Sequence, residues 1–252
     1  MNDTRCGRLA TPFIRSCIIY HQKPDGHYVY PMPNQHSLTY TKTHYLRSAA
    51  KLSQCPEEIT REVAFAGRSN AGKSSALNCL TGQRKLARTS KTPGRTQLIN
   101  YFQIGELPLA IVDLPGYGYA KVPVGVKNAW QKELGDYLQN RDELVGLVLL
   151  MDIRHPLTDF DTGMIQWAED NGMPLHLILT KADKLKRGAA QNTLLQVRKA
   201  VKDMSTPVTV QTFSSLKAQG LDVLKQRLNE LLVPDQEDDA DSTEADLPES
   251  ED

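Results

Sequence analysis

From Glu62 to Val233 the chain alternates between short aliphatic runs and stretches in which apolar residues recur every three or four positions. EVAFAG (62–67) reads as a short buried strand, and KSSALNCL (73–80) as a helix. QLINYFQI (97–104) alternates with period two, and LPLAIVDL (107–114) is near-continuous in apolar residues. Residues 125–139 place Val126, Trp130, Leu134, Tyr137 and Leu138 on one helical face. VGLVLLMDI (145–153) is again a buried strand. Phe160, Met164 and Trp167 mark a further helical face, and PLHLILT (174–180) a strand. Leu194, Val197 and Val201 give a fourth helix and TPVTVQTF (206–213) a sixth strand. Leu221, Leu224, Leu228 and Leu231 give the last helix. The two periodicities, near 3.6 and 2, separate helices from strands. Strands this rich in Val, Ile and Leu are buried on both faces. The pattern therefore predicts an α/β fold, with a six-stranded, mostly parallel sheet and helices on both faces.

The flanks differ. Residues 1–61 show no sustained periodicity and are expected to be a largely irregular extension, with 62–233 as the folded domain. Met32 opens a segment that can itself be a chain start, so residues 1–31 are read as an upstream extension that is not translated. A basic arm is the alternative. Residues 234–252 are acidic and lack aromatics, so they are expected to be disordered. Charge sharpens this division. The 30 basic and 30 acidic residues cancel, but ten of the acids lie in 235–252, where there is no Lys or Arg. The remainder is cationic, which suits a polyanionic partner. The longest aliphatic-rich run, LVGLVLLM (144–151), is far short of the roughly 20 residues that cross a bilayer, and no secretory signal is visible. A cytoplasmic protein without a membrane partner is expected. The four cysteines lack CxxC spacing and are read as reduced thiols.

GRSNAGKS (67–74) fits GxxxxGK[ST], with a strand before it and a helix after it. Glycines let successive backbone N–H groups curl toward phosphate oxygens, and the helix N-terminus adds its positive dipole end. Gly67, Arg68, Ser69, Asn70, Ala71, Gly72, Lys73, Ser74 and Ser75 are thus expected to cradle phosphates. Lys73 reaches the β- and γ-phosphates, and the Ser74 hydroxyl ligates Mg²⁺. Asp113 ends a buried strand and is followed by Leu114, Pro115 and Gly116. A carboxylate there suits a magnesium-bound water, and the Gly116 amide a γ-phosphate. Between them lies KTPGRTQL, with Gly94, Arg95, Thr96, Gln97 and Leu98. Thr96 can give Mg²⁺ its hydroxyl and the γ-phosphate its N–H, then let go on hydrolysis. Lys73, Thr96 and Gly116 are the expected catalytic group, and Ser74, Thr96 and Asp113 the expected metal ligands.

Thr180, Lys181, Ala182 and Asp183 follow the strand LHLIL. A carboxylate here accepts from guanine N1–H and N2–H₂ together, a donor pair that adenine lacks. Phe213, Ser214 and Ser215 end the last strand, where a backbone N–H can meet guanine O6. A P-loop ATPase or kinase is the rival class, and Asp183 argues against it.

On FAGRSNAGKSS (65–75), KTPGRTQLINYF (91–102), DLPGYGYA (113–120), DIRHPL (152–157) and TKADKL (180–185), the chain resembles the translational-class GTPases. More narrowly, it resembles the EngB (YihA/YsxC) ribosome-biogenesis GTPases of bacteria. The resemblance covers about 60–233. It implies a P-loop GTPase fold whose second strand is antiparallel. It also implies a GTP- and Mg²⁺-dependent switch in assembly of the large ribosomal subunit, needed for normal division and septation. It says nothing of residues 1–40 or of the acidic tail.

Ras-type enzymes place a Gln just after Asp-x-x-Gly to orient the attacking water. Tyr117 stands there and cannot do this, so weak intrinsic hydrolysis is expected. Related GTPases with Asn at the position of Asn70 hold K⁺ beside the phosphates; an Asx bond that steadies the loop is the alternative. His155 is expected to stand structurally in the loop after the 145–153 strand, at the opposite sequence end from the phosphate motifs. Between Glu62 and Glu106 there are seven basic residues and no acid, and five of the seven fall in 84–95. That loop is the expected contact with rRNA of the large-subunit precursor, made by a monomer. The competing class is a division or septum regulator that acts through protein partners.

Overall fold

Seven strands form one sheet: β1 (Thr43–Ala49), β2 (Arg61–Gly67), β3 (Ile99–Ile104), β4 (Leu109–Asp113), β5 (Leu144–Asp152), β6 (Leu175–Thr180) and β7 (Val208–Thr212). The structure is a computed structural model. It describes residues 38–87, 98–116 and 133–233, and two short strands further upstream. The strand order is β1-β3-β4-β2-β5-β6-β7. β3 runs antiparallel to both of its neighbours, and every other pairing is parallel. The class and the one reversed strand are as expected, but the count is seven, not six. The added strand, β1, lies inside the segment expected to be irregular. Only its two ends, Thr43 and Ala49, are buried, and the pairing shifts register between Tyr45 and Arg47. A polar edge strand with a bulge carries no alternation to read.

The chain divides into two units, Met1–Met32 and Pro33–Asp252. In the first, His21–Gln22 pairs antiparallel with Tyr28–Val29. All that follows concerns the second.

Among the described residues five α-helices accompany the sheet: α1 (Lys73–Thr81), α2 (described over 133–140), α3 (Asp159–Asp170), α4 (Arg187–Ala200) and α5 (Leu221–Leu232). Strand alternation decides which face each residue serves. Ala64, Ala66, Leu147, Leu149 and Met151 share one cluster with Tyr137, Ala168, Leu194 and Val197 of α2, α3 and α4. Their neighbours Val63, Phe65, Val148 and Leu150 are buried too, on the face where α1 and α5 meet. Leu224 and Leu228 are fully buried on α5, as its periodicity requires. Phe160 departs from expectation. It stays 39% exposed, and α3 instead buries Asp161 and Ala168. Asp161 closes a capping box with Thr158, which draws the helix start inward. Val126 and Trp130 lie outside the described residues.

Two polar groups in the interior are fully paired. Glu62, at the start of β2, accepts from Tyr137 Oη at 2.6 Å, Tyr101 Oη at 3.3 Å and Arg141 Nη2 at 3.0 Å. His176, on β6, lies 2.7 Å from Thr209 Oγ1 through Nδ1 and 3.1 Å from Gln211 Oε1 through Nε2. Gln211 gives its amide hydrogen to the Gly220 carbonyl, so its oxygen must accept from Nε2–H. The imidazole therefore carries a hydrogen on Nε2, and in its neutral form Nδ1 accepts from the Thr209 hydroxyl. Burial lowers its pKa from 6.5 to about 4, although the Gln211 bond resists this. A lowered folded value makes His176's contribution fully present above pH 6.5 and lost as pH falls toward 4. The loss is at most roughly 3 kcal/mol. Chemical denaturation across this window should show His176→Asn with a flatter stability profile than the parent. Equal slopes would refute the assignment.

Candidate functional site

The strand order reverses at β2, since the chain goes first to β3 and β4 on one side and then to β5 on the other. In a parallel sheet such a point opens a crevice at the carboxyl ends of the strands. Every described segment singled out by sequence ends there: Gly67 on β2, Asp113 on β4, Thr180 on β6 and Phe213 just after β7.

The loop between β2 and α1 has little freedom. A Cβ on Gly67 would stand 2.5 Å from the Leu150 carbonyl oxygen of β5, so only glycine lets the loop leave the sheet. Asn70 takes a left-handed conformation (φ 64°), and the Ala71 amide closes a turn onto the Arg68 carbonyl at 3.0 Å. α1 then begins at Lys73 with no side-chain cap and no acid in its first turn. Its first N–H groups need acceptors, which a phosphate supplies. Ser74 and Ser75 stand in that first turn.

Lys73 Nζ donates to the Gly67 carbonyl at 3.1 Å, back across the loop. A Cβ on Gly116 would lie 3.1 Å from this amine and 3.2 Å from the Ser69 backbone, so Gly116 passes against the loop without room for a side chain. Asp113 is 7% exposed. Burial pushes its carboxyl up to about 6, with Lys73 pulling it back. Burial also lowers Lys73, and Asp113 opposes that shift. Asp113 Oδ1 is buried with no hydrogen-bond partner among the described residues. Such an orphan is costly and calls for a cation or an ordered water. With the Ser74 hydroxyl at the head of α1, this donor set fits a hard divalent ion such as Mg²⁺.

The TKAD segment is fastened to the phosphate loop. Thr180 Oγ1 lies 2.5 Å from the Ala71 carbonyl oxygen and 3.0 Å from that of Met151. Lys181, in a left-handed conformation (φ 58°), donates to the Asn70 carbonyl at 2.6 Å and to Asp152 Oδ2 at 3.0 Å. Left-handed non-glycine residues at two touching positions are the kind of strain that gathers at functional sites. Ala182 N–H donates to the Phe213 carbonyl, joining this turn to the end of β7. Ser214 Oγ donates to Asp183 Oδ1 at 2.6 Å, which holds the Asp183 carboxyl below its usual range. The amides of Phe213 and Ser214 are already donated, to Leu179 and Gln219. Of the three residues expected near a base, Ser215 is the exposed one.

Asp152 belongs to one of the segments that carry the family resemblance, but the sequence gives its side chain no role. Here Asp152 is gripped by Arg154 through Nε at 2.9 Å and Nη2 at 2.6 Å, while its Oδ2 also accepts from Lys181. His155 stands in the turn after β5, as expected, but its distance along the sequence does not separate it from the phosphate loop. It lines a cleft with Arg68, Ser69 and Asn70, because the turn after β5 folds back onto the loop. An acid ending a buried strand is the signal that points to Asp152, the same one that marks Asp113. Gly94, Arg95, Thr96, Gln97 and Tyr117 lie outside the described residues. Leu98 is described and exposed.

Three comparisons bear on this geometry. Residues 62–181 match a family model described as 50S ribosome-binding GTPase. A probable GTP-binding protein EngB of Vibrio parahaemolyticus is 57% identical over 195 residues, covering 77% of this chain and 89% of the relative. A counterpart in Escherichia coli is 56% identical over 193 residues, covering 77% and 91%. Among solved structures, a probable GTP-binding protein EngB superposes with a TM-score of 0.54 at 24% identity. It covers 68% of this chain and 97% of that one. The last likeness bears on the fold alone.

Proposed function

The chain belongs to the EngB family of GTP-binding proteins, and we propose that it is a slow GTPase switch in assembly of the large ribosomal subunit. Normal cell division and septation depend on it under this reading. The observation that carries the nucleotide part is the coupling of two half-sites. Thr180 and Lys181 tie the guanine-selecting Asp183 to the loop that holds the phosphates. Lys73 then turns from the Gly67 carbonyl to the β- and γ-phosphates. The Gly116 amide meets the γ-phosphate, to which Thr96 would give its backbone N–H. Ser74, Asp113 and Thr96 would hold Mg²⁺, which supplies positive charge to the phosphoryl oxygens when bound.

Without a glutamine after Gly116, the purified protein should turn over on the order of 10⁻⁴–10⁻³ s⁻¹, near or below unassisted Ras. Single-turnover phosphate release measures this, and a rate above about 1 s⁻¹ without a partner sinks it. Asn70 stands exposed in the phosphate loop, where K⁺ coordination is one role and an Asx bond the other. The K⁺ role is the one with a kinetic consequence. Under it, hydrolysis should be faster in K⁺ than in Na⁺. Equal rates, with Asn70→Ala silent, count against it.

The ribosomal part is supported by the matched family description and by the acid-free basic stretch. Co-sedimentation with large-subunit particles, GTP analogue against GDP, tests it. Binding that ignores the nucleotide, or survives reversal of Arg84, Lys85 and Arg88, rejects it.

A further inference from the structure

The edge of the sheet that sequence does not reveal carries an unusual surface. Tyr45 on β1 is 52% exposed, a large aromatic left in water. It is not loose. It stands opposite Phe102 of β3, with ring centroids 6.1 Å apart and planes at 68°. Its hydroxyl lies 2.8 Å from Ser48 Oγ, which in turn donates to Asn100 Oδ1 at 2.6 Å. The ring is thus braced on two sides while much of it remains exposed.

The same cleft is lined by Arg84 and Lys85, both exposed. Their backbone is fixed from two directions. Asn78 donates to the Arg84 and Ala87 carbonyls at 3.2 and 2.9 Å and accepts from the Ala87 amide at 2.8 Å. Gln83 donates to the Thr43 carbonyl at 2.6 Å, which ties this turn to the start of β1. No acid occurs between Asp25 and Glu57 or between Glu62 and Glu106, so neither β1, β3 nor the basic turn contributes negative charge. Asp113, at the cleft floor, is the one acid among its described lining residues.

We propose that Tyr45, braced by Phe102 and flanked by Arg84 and Lys85, is a stacking platform for a single-stranded RNA segment. An exposed aromatic supplies a π-face to any base, and cations carried on a fixed turn in the same cleft can reach the neighbouring phosphates. A peptide adding to the free edge of β1 is disfavoured. The bulge at Tyr45/Arg47 and the exposed Lys42, His44 and Arg47 are features that keep edges from pairing. The inference rests on the ribosomal reading and names which part of the RNA interface reads a base rather than a charge.

The test titrates a fluorescein-labelled, mixed-sequence single-stranded RNA 12-mer into the GTP-analogue-bound full chain at several salt concentrations. Tyr45→Ala should weaken binding about tenfold, within the range for loss of one stacked base, and leave the salt slope unchanged. Tyr45→Phe should bind as the parent does. Changing both Arg84 and Lys85 to Gln should reduce the slope of log K against log salt by about 1.4, or about 0.7 for each phosphate no longer neutralised. Tyr45 lies outside the nucleotide motifs, so GDP affinity should not move, and loss of the pair with Phe102 should lower the melting temperature by at most about 4 °C. RNA binding by Tyr45→Ala equal to the parent's overturns the platform and leaves the ribosomal reading standing. Large-subunit binding that falls with Tyr45→Ala while the 12-mer is ignored means that the occupant is not a single-stranded RNA segment and also overturns it. A parent that binds neither the 12-mer nor the particles removes both readings.

Discussion

Exchanging Asp183 for Asn is expected to lower GTP affinity by about 10²- to 10⁴-fold and to raise affinity for XTP. The carboxylate is placed to take guanine N1–H and N2–H₂ together. Two hydrogen bonds to a charged group contribute about 1.5–3 kcal/mol each, which sets the range. The amide keeps one acceptor but turns a donor toward the second guanine donor. Xanthine carries a carbonyl at that point and accepts from the amide. The Ser214 hydroxyl, 2.6 Å from Asp183 Oδ1, fixes the orientation of the group. The side chain is about 10% exposed, and Asn at 183 keeps an oxygen that accepts from the buried Ser214 hydroxyl, so stability should change far less than GTP affinity. Competition of GTP, XTP and ATP against a fluorescent GDP checks this. If Asn at 183 leaves GTP preferred over XTP by the parent's ratio, the carboxylate is not the base reader.

The segments around Asp183 and Lys73 are legible in the sequence because their chemistry constrains the backbone as well as the side chains. Gly67 is a steric requirement against Leu150, and its position after a buried strand identifies the loop without a structure. Asp152 is different. Its partners Arg154 and Lys181 come from separate segments, and nothing in the spacing of DIRHPL announces that its acid meets TKAD. Strands with continuous aliphatic runs can be placed closely from sequence, because burial on both faces leaves few polar positions, with Glu62 and His176 as paired exceptions. β1 escapes for the opposite reason. It is an edge whose exposed positions include His44, Tyr45 and Arg47, so its sequence resembles a loop. Phe160 shows a further limit. A helical stripe identifies a helix, but the cap that Asp161 forms with Thr158 decides which residues turn inward.

Replacing Arg141 by Met is expected to cost about 3–5 kcal/mol of stability at pH 7, because it strands a buried carboxylate. Glu62 is fully buried and Arg141 nearly so, and they pair at 3.0 Å. Arg141 also donates to the Pro56 carbonyl at 2.9 Å and pairs with Glu143 at 3.0 Å. One side chain thus joins the segment before β2 to the start of β5, at the opposite end of β2 from the phosphate loop. Burial pushes the Glu62 carboxyl above the ordinary carboxylate range, while Arg141 and the hydroxyls of Tyr137 and Tyr101 pull it back. Without the guanidinium, burial acts with less opposition, and the group avoids the penalty by taking up a proton. The sign of the pH effect follows. A folded value raised above the unfolded one gives stability that is present at low pH and lost as pH rises. The deficit of Arg141→Met relative to the parent should therefore shrink as pH falls from 7 toward 5. Urea denaturation at several pH values measures it. A deficit equal at pH 5 and pH 7 means that Glu62 does not carry the cost. GDP affinity, measured where the variant is folded, should stay at the parent's value, since neither residue lines the nucleotide cleft.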